Sequence, residues 1–235
     1  MRSASSAGAL VAAASAVVLA GCVPVVAGGP AASEEREIGA VTTVVLDTSG
    51  DLTISEGEPG LTIHAPEAAL DRLTSDVNGD TLVLGSKSGP EIIVGEVRYE
   101  LTLPELETVE LNGSGDVEST VSAGGALRLD LDGSGDVEWS GLDADGVEVR
   151  LTGSGSIELS GTTSELTIEL DGSGSVDAGD LQARDGVVSI GGSGDIDVAA
   201  SDTLSVEISG SGRVTYSGDP SVNSDVSGSG DVVRG

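Results

Sequence analysis

The tripeptide Gly-Ser-Gly recurs seven times in the second half of this 235-residue chain. Its first glycine falls at spacings of 20, 20, 19, 20, 18 and 18 residues, at Gly113, Gly133, Gly153, Gly172, Gly192, Gly210 and Gly228. Self-similarity at such a period is typical of a solenoid. Glycine reaches positive φ without a steric penalty and lets backbones approach closely, so the tripeptide is predicted to form a corner. The serine hydroxyl is expected to bond to nearby backbone.

Apolar side chains keep a fixed register with this tripeptide. The column two residues before each first glycine consists of Leu111, Leu131, Leu151, Leu170, Ile190, Ile208 and Val226. The column four residues after it consists of Val117, Val137, Ile157, Val176, Ile196, Val214 and Val232. Intervening positions are mostly polar, and this alternation predicts one strand on each side of the corner. An array of hairpins could show the same alternation, but the constant period favours stacked equivalent strands. We therefore predict an all-β parallel β-helix, or β-solenoid, with about 18–20 residues per rung.

Residues 38–112 show strand patterns without the regular repeat. Thr48-Ser49-Gly50-Asp51-Leu52 resembles the corner, and Ala65 to Leu73 is predicted to form a helical turn or a loop. We interpret this half as irregular early rungs of the solenoid domain, which then covers residues 38–235, with regular repeats over 113–235. The alternative is a separate small β-domain.

The N-terminus carries the features of a lipoprotein signal peptide, predicted over residues 1–21. Arg2 precedes an apolar run from Ala9 to Ala20, which is short for a membrane span. The run ends in Leu-Ala-Gly-Cys, which resembles the bacterial lipobox, and this resemblance implies that Cys22 is linked to diacylglycerol. An ordinary signal peptide with a chance cysteine is the alternative. Residues 22–37 are predicted to be a flexible tether, so the domain is expected on the outer face of the cell membrane.

The chain is strongly acidic, with a formal net charge of −30. Removal of Arg2 with the signal peptide makes the mature charge −31. Phosphate binding needs a basic patch, so nucleic acid is excluded as a partner. Anionic lipid head groups are also disfavoured, whereas cation binding is favoured.

Residue types for catalysis are scarce. The single histidine, His64, lies in a strand-like segment, and the single cysteine, Cys22, is assigned to the lipid. The chain contains no Gly-x-Ser-x-Gly motif, which many serine hydrolases carry. Trp139 aligns with inward positions and is predicted to be a core residue rather than a sugar platform. We predict no enzymatic activity, no catalytic residue and no cofactor.

One column of acidic residues exceeds what composition alone explains. It consists of Glu118, Glu138, Glu158, Asp177 and Asp197, five residues after successive first glycines. A second outward column, two residues earlier, contains Asp116, Asp136, Asp195 and Asp231. In a parallel stack the five carboxylates would lie about 4.8 Å apart, where two unit charges repel by roughly 0.9 kcal/mol even in bulk water. The main interpretation is a solvated acidic face.

The alternative interpretation of the acidic face is weak calcium binding. Carboxylate oxygens suit hard cations. The segment from Gly191 to Val198 also fits the nonapeptide of calcium β-rolls, although it does so only once.

The Gly-Ser-Gly-Asp-Val repeats, following the segment from Leu103 to Leu111, resemble the auto-transporter adhesin head (GIN) domain family. The resemblance covers about residues 38–234. It implies a β-helical, surface-exposed domain that is often found on bacterial lipoproteins, and it brings no established catalytic residues.

We therefore expect a non-catalytic surface module for adhesion or envelope interaction, with a calcium-dependent module as the alternative. The membrane is the expected partner of the lipid on Cys22, and the second ligand is unidentified. The last rung, from Asp231 to Gly235, has no obvious cap, so a homodimer is the expected way to cover its edge.

Overall fold

The computed structural model describes residues 25–27, 29–88, 91–93 and 95–235, and within them it contains one short helix and nineteen strands. The first half holds β1 Val25–Ala27, β2 Ala31–Arg36, β3 Thr43–Leu46, β4 Asp51–Glu56, β5 Gly60–Pro66, α1 Glu67–Leu70, β6 Leu73–Asn78, β7 Thr81–Ser86, β8 Glu91–Ile93 and β9 Arg98–Leu103. The second half holds β10 Thr108–Gly113, β11 Val117–Ser119, β12 Ala126–Gly133, β13 Asp136–Gly153, β14 Ser156–Gly172, β15 Ser175–Gly192, β16 Asp195–Gly210, β17 Arg213–Gly218, β18 Ser221–Gly228 and β19 Asp231–Arg234.

The repeats stack as parallel strands, one turn above the next. Val137 lies beside Ile157, and Leu151 lies beside Leu170, so residues at equivalent repeat positions are neighbours across the sheet. Every pairing from β10 to β19 is parallel. The predicted β-solenoid is confirmed, because an array of hairpins would require antiparallel pairs.

The apolar columns form the core. From Leu111 to Ile208, every member of the column that precedes the corner is at most 2% exposed. Trp139 is fully buried and its Nε1 donates a hydrogen bond to the carbonyl oxygen of Val121 at 2.9 Å, so its predicted core position is confirmed. Tyr99 is also fully buried, and this burial raises the pKa of its hydroxyl to about 12.

Each Gly-Ser-Gly corner is held to the previous corner by its backbone. The first glycines have φ between 127° and 150°, a region that favours glycine. The serine N–H donates to the carbonyl oxygen of the first glycine one turn earlier, as from Ser154 to Gly133 at 3.0 Å. The expected hydrogen bond from the serine hydroxyl is absent at every corner of the described chain, because these hydroxyls point into water. The hydroxyls are therefore not what holds the corner.

The first half joins the same sheet, but its strands do not stack in sequence order. Strands β3 and β4 pair with β10 and β11 on one side and with β7 and β9 on the other. Antiparallel strands then close this end, with β6 on β7, β5 on β9 and β2 on β5. The early rungs are therefore followed outward by a cap of antiparallel strands. Helix α1 lies within the segment from Ala65 to Leu73, where a helical turn or loop was predicted, and it buries Ala69 and Leu70.

The predicted tether over residues 22–37 is too long. Ala31–Arg36 forms strand β2 and pairs antiparallel with β5, with Ser33 opposite His64. The Arg36 guanidinium fixes the strand to the cap by donating to the carbonyl oxygens of Leu73 at 3.0 Å and Leu70 at 3.2 Å. The segment is polar, but its backbone satisfies the outer edge of β5. The predicted signal peptide and the predicted lipid attachment site Cys22 lie outside the described residues. Among those that are described, no helix is long and apolar enough to cross a membrane.

Substitution of a corner glycine should destabilise the fold. A Cβ at Gly155 would lie 2.2 Å from the carbonyl oxygen of Gly135 and 2.8 Å from a methyl carbon of Leu131. We expect Gly155→Ala to lower the free energy of unfolding by about 2–3 kcal/mol, since over-packing forces the backbone to shift. Chemical denaturation monitored by Trp139 fluorescence measures this change.

Gly146→Ala is the matched control, because a Cβ there would have its nearest neighbour at 3.9 Å. Its effect should stay within about 0.5 kcal/mol. Equal losses for Gly155→Ala and Gly146→Ala would show that close stacking is not what the corner requires.

Candidate functional site

The five predicted acidic residues form a continuous row on the solenoid surface, which we name the acidic ladder. Glu118 lies opposite Glu138, Glu138 opposite Glu158, Glu158 opposite Asp177, and Asp177 opposite Asp197. All five side chains are exposed. The row runs between Thr53 of β4 and Thr215 of β17. The predicted alignment of these carboxylates is therefore confirmed.

No cation among the described residues compensates the acidic ladder. None of the ion pairs that join described side chains includes one of its five residues. The nearest cation in register is Arg213, which lies beside Asp195 in the neighbouring outward column. Uncompensated like charges at one strand spacing create a local negative potential that attracts cationic groups.

The neighbouring column of aspartates is used by the fold. Asp116 Oδ1 accepts a hydrogen bond from the N–H of Asp136 at 3.1 Å, and Asp136 Oδ1 accepts one from the N–H of Ser156 at 3.1 Å. The Ser156 hydroxyl also donates to Asp136. Asp51 accepts the N–H of Asp116 at 3.4 Å in the same way. These carboxylates therefore support the next corner. In the acidic ladder beside them, Asp177 accepts the N–H of Gly179 on its own turn at 3.0 Å, and no described ladder carboxylate bonds to the backbone of the next turn.

On the outer side of the strands before the corners, two arginines form ion pairs with acids of the same and neighbouring turns. The Arg128 guanidinium contacts Asp130 at 2.7 Å and Glu148 at 2.8 Å, and Arg150 contacts Glu169 at 2.7 Å. The hydrogen bonds that Arg128 donates to Asp130 raise the pKa of the arginine above its usual value. Sequence reasoning missed this network, although its signal was present: arginines occupy outward columns in two successive repeats.

The structure gives no support to calcium binding. Among the residues that the structure describes, no three His, Cys, Asp or Glu side chains converge on one point. Parallel register spreads the acidic ladder along a line, whereas a calcium ion needs six to eight oxygens around one centre. In the segment that fits the β-roll nonapeptide, Asp195 and Asp197 are both exposed and belong to different columns.

The surface around the acidic ladder is shallow. A depression of about 420 Å³ extends over its middle, lined by Glu118, Glu138, Glu158 and Asp177. A larger depression of about 750 Å³ lies beside the cap and includes Ser33, His64 and Glu100. His64 Nε2 is 3.4 Å from Glu100 Oε1, but no hydrogen bond joins the Ser33 hydroxyl to the His64 imidazole. The three residues therefore do not form an activated nucleophile.

Solved structures with the same β-solenoid fold are described as adhesins and, in one case, as a lipid binding protein. A crystal structure of a protein described as a putative adhesin from Bacteroides fragilis is similar with a TM-score of 0.85 and 21% identity, over 89% of this chain and 99% of that chain. A second, described as a putative adhesin from Parabacteroides merdae, gives 0.72 and 21%, over 90% and 98%. A third, described as a putative lipid binding protein from Parabacteroides distasonis, gives 0.77 and 25%, over 91% and 100%.

The family itself is shown by sequence. The family model described as "Putative auto-transporter adhesin, head GIN domain" matches residues 41–220, and the chain belongs to this family. No curated protein matches the chain. The family description points to a non-enzymatic, adhesin-like protein of the cell surface, and the predicted family and fold are confirmed.

Neutralising one member of the acidic ladder should stabilise the fold. Glu138→Gln removes repulsion from both Glu118 and Glu158, and we expect the melting temperature to rise by roughly 1–3 °C at low salt. Because salt screens exposed charges, the gain should shrink above about 0.5 M NaCl. Calorimetry at both salt concentrations measures it.

Glu148→Gln is the matched control on the same strand β13. It removes a partner of Arg128 and should leave the melting temperature unchanged or lower it. A rise of the same size for Glu148→Gln would show that net charge, rather than position on the ladder, sets the effect.

Proposed function

We propose that this protein is a lipid-anchored, non-catalytic surface module for adhesion or envelope contact, and that the acidic ladder binds a basic partner surface. The supporting observation is the contrast between two faces of one solenoid. On the face that carries Arg128 and Arg150, arginines pair with neighbouring acids, whereas none of the five carboxylates of the acidic ladder forms an ion pair with a described side chain. A rigid row of like charges is suited to a partner of opposite charge, because little conformational entropy is lost on binding.

The position of the ladder relative to the N-terminus also supports a display role. Within the main sheet, β2 is the first strand after Cys22, and it is the outermost strand of the capped end. Nine strands lie between β2 and β19 along one path of paired neighbours, namely β5, β9, β4, β11, β13, β14, β15, β16 and β17. The path therefore covers ten strand spacings, or roughly 48 Å. A lipid on Cys22 would hold the capped end at the membrane and raise the ladder above it.

The name of the Parabacteroides distasonis relative suggests lipid binding as another function. For this chain, the strong negative charge disfavours anionic head groups. We therefore assign the lipid contact to the acyl chains on Cys22 rather than to a pocket of the solenoid.

Binding of a basic surface tests the role of the ladder. The full chain with Cys22→Ser, which removes the lipid, is passed over immobilised poly-lysine and over whole cells at several salt concentrations. The ladder variant carries Gln at 118, 138 and 158 and Asn at 177 and 197. We expect its affinity for poly-lysine and its retention on cells to fall at least tenfold.

The control variant has the same change in net charge elsewhere on the surface. It neutralises five exposed acids that lie outside the ladder, namely Glu105, Asp145, Glu165, Asp171 and Asp202. We expect it to lose no more than about threefold, because interactions beyond the Debye length of roughly 8 Å are screened at physiological salt. Equal losses for both variants would overturn the ladder as the contact surface.

The lipid anchor is tested separately. Wild-type protein expressed in a bacterial host should incorporate labelled palmitate and sediment with membranes, since two acyl chains give stable anchoring. Cys22→Ser should abolish both labelling and sedimentation after cell lysis. Ser33→Cys in the Cys22→Ser background is the control, because it restores a thiol 11 residues away from the predicted site. Labelling of Cys22→Ser, or of the Ser33→Cys control, would contradict the assignment.

A further inference from the structure

The end of the solenoid opposite the cap is open. Strand β18 pairs with β16, and β19 pairs with β17, but no described strand pairs with the outer edge of either. Every residue of β18 is exposed. An edge of this kind presents a row of unpaired N–H and C=O groups to which another strand can add.

Apolar core positions are also uncovered at this end. Val222 and Val226 are 37% and 39% exposed, whereas the residues one turn earlier, Leu204 and Ile208, are each 1% exposed. The valines continue the inward columns of the core, and no rung of the described chain covers them. A partner that covered them would add one more layer to the hydrophobic core.

The sequence of β18 is nearly the same in both directions. Ser221-Val222-Asn223-Ser224-Asp225-Val226-Ser227 is symmetric about Ser224, apart from the exchange of Asn for Asp. A two-fold interface needs this property, because residue i of one subunit must face residue j of the other and j must face i. An antiparallel pair of β18 strands centred on Ser224 would set Val222 opposite Val226 of the partner subunit.

Charge favours the same register. Centred on Ser224, the pair sets the Asn223 amide opposite Asp225 of the partner subunit, so each carboxylate faces a hydrogen-bond donor. A pair centred on Asp225 would set two carboxylates against each other, and Val226 against a serine. A pair centred on Asn223 would set Val222 against a serine. Only the register centred on Ser224 matches valine with valine and acid with amide.

We propose that a second copy of this chain covers the open end, through antiparallel pairing of the two β18 strands about a two-fold axis at Ser224. The dimer joins two solenoids end to end and keeps their cores continuous. It also explains Ser224 itself, which interrupts the inward column of Val109, Leu129, Val149, Ile168, Val188 and Val206. At the axis the two serine hydroxyls face each other and can hydrogen-bond across the strands.

Disulfide trapping tests the register directly. In the full chain with Cys22→Ser, Ser224→Cys places two thiols on the axis, where opposite Cα atoms are about 4.5–5.5 Å apart and fit a disulfide. Ser221→Cys is the control, since its two copies would lie six residues apart, or roughly 20 Å. We expect mild oxidation to give a covalent dimer of Ser224→Cys and none of Ser221→Cys.

A mixture of Ser221→Cys and Ser227→Cys chains should form a mixed disulfide, because these positions face each other in the proposed pair. Equal cross-linking of Ser224→Cys and Ser221→Cys would overturn the register, and so would failure of both Ser224→Cys and the mixture.

Light scattering tests the dimer without a cross-link. The Cys22→Ser chain should have the mass of two subunits at about 100 µM. Asn223→Asp should raise the dissociation constant at least tenfold, because it sets acid against acid at two places in the interface, and 0.5 M NaCl should restore part of the affinity.

The matched control is Thr167→Asp. Thr167 is exposed and occupies the same outward column three rungs earlier. The Thr167→Asp substitution should change the dissociation constant of the dimer less than twofold. Circular dichroism verifies that both variants remain folded. A monomeric parent chain, or equal effects of the two substitutions, would overturn the proposal.

Discussion

Direct contact between stacked glycines is the constraint on which the rest of this structure depends. From Gly133 onward, a Cβ on the first glycine of a corner would lie 2.0–2.2 Å from the carbonyl oxygen of its equivalent one turn earlier, and the second glycines are nearly as confined. The corners therefore stack at strand spacing without side chains between them. This contact holds every turn in register, because a shift of one residue would bring a side chain into the space that only glycine leaves open.

The surface chemistry follows from this register. When successive turns align position by position, a column in the sequence becomes a row in space, and residues 20 apart become nearest neighbours. The same rule produced two opposite results on adjacent faces. Arginines in two successive repeats neutralise the acids around Arg128 and Arg150, whereas the column from Glu118 to Asp197 contains acids alone. The local charge of each face is therefore set by the residues of its columns, and the net charge of the chain does not reveal the difference between the two faces.

The regular half was predictable because its period and its alternation are both local signals. The inward and outward columns, the position of Trp139 and the alignment of the acidic ladder followed from counting residues from each corner. The stacking order of the first half was not predictable, because alternation identifies a strand but not its neighbour. Strand β2 was not predicted because its residues are mostly polar and show no apolar alternation. They form a strand because their backbone pairs with the edge of β5. Side-chain hydrogen bonds, such as the one that Asp136 accepts from the next turn, also could not be predicted without the three-dimensional structure.

The capped end and the open end are built by separate parts of the chain, and the turns between them are interchangeable. The antiparallel strands β2, β5 and β6 close one end, and β18 forms the other. Duplication of one 20-residue repeat would therefore leave both ends intact and move the open end outward by one strand spacing, about 4.8 Å. The length of such a solenoid is set by its number of repeats. Unequal recombination between repeats can therefore change this length in uniform steps without altering either end.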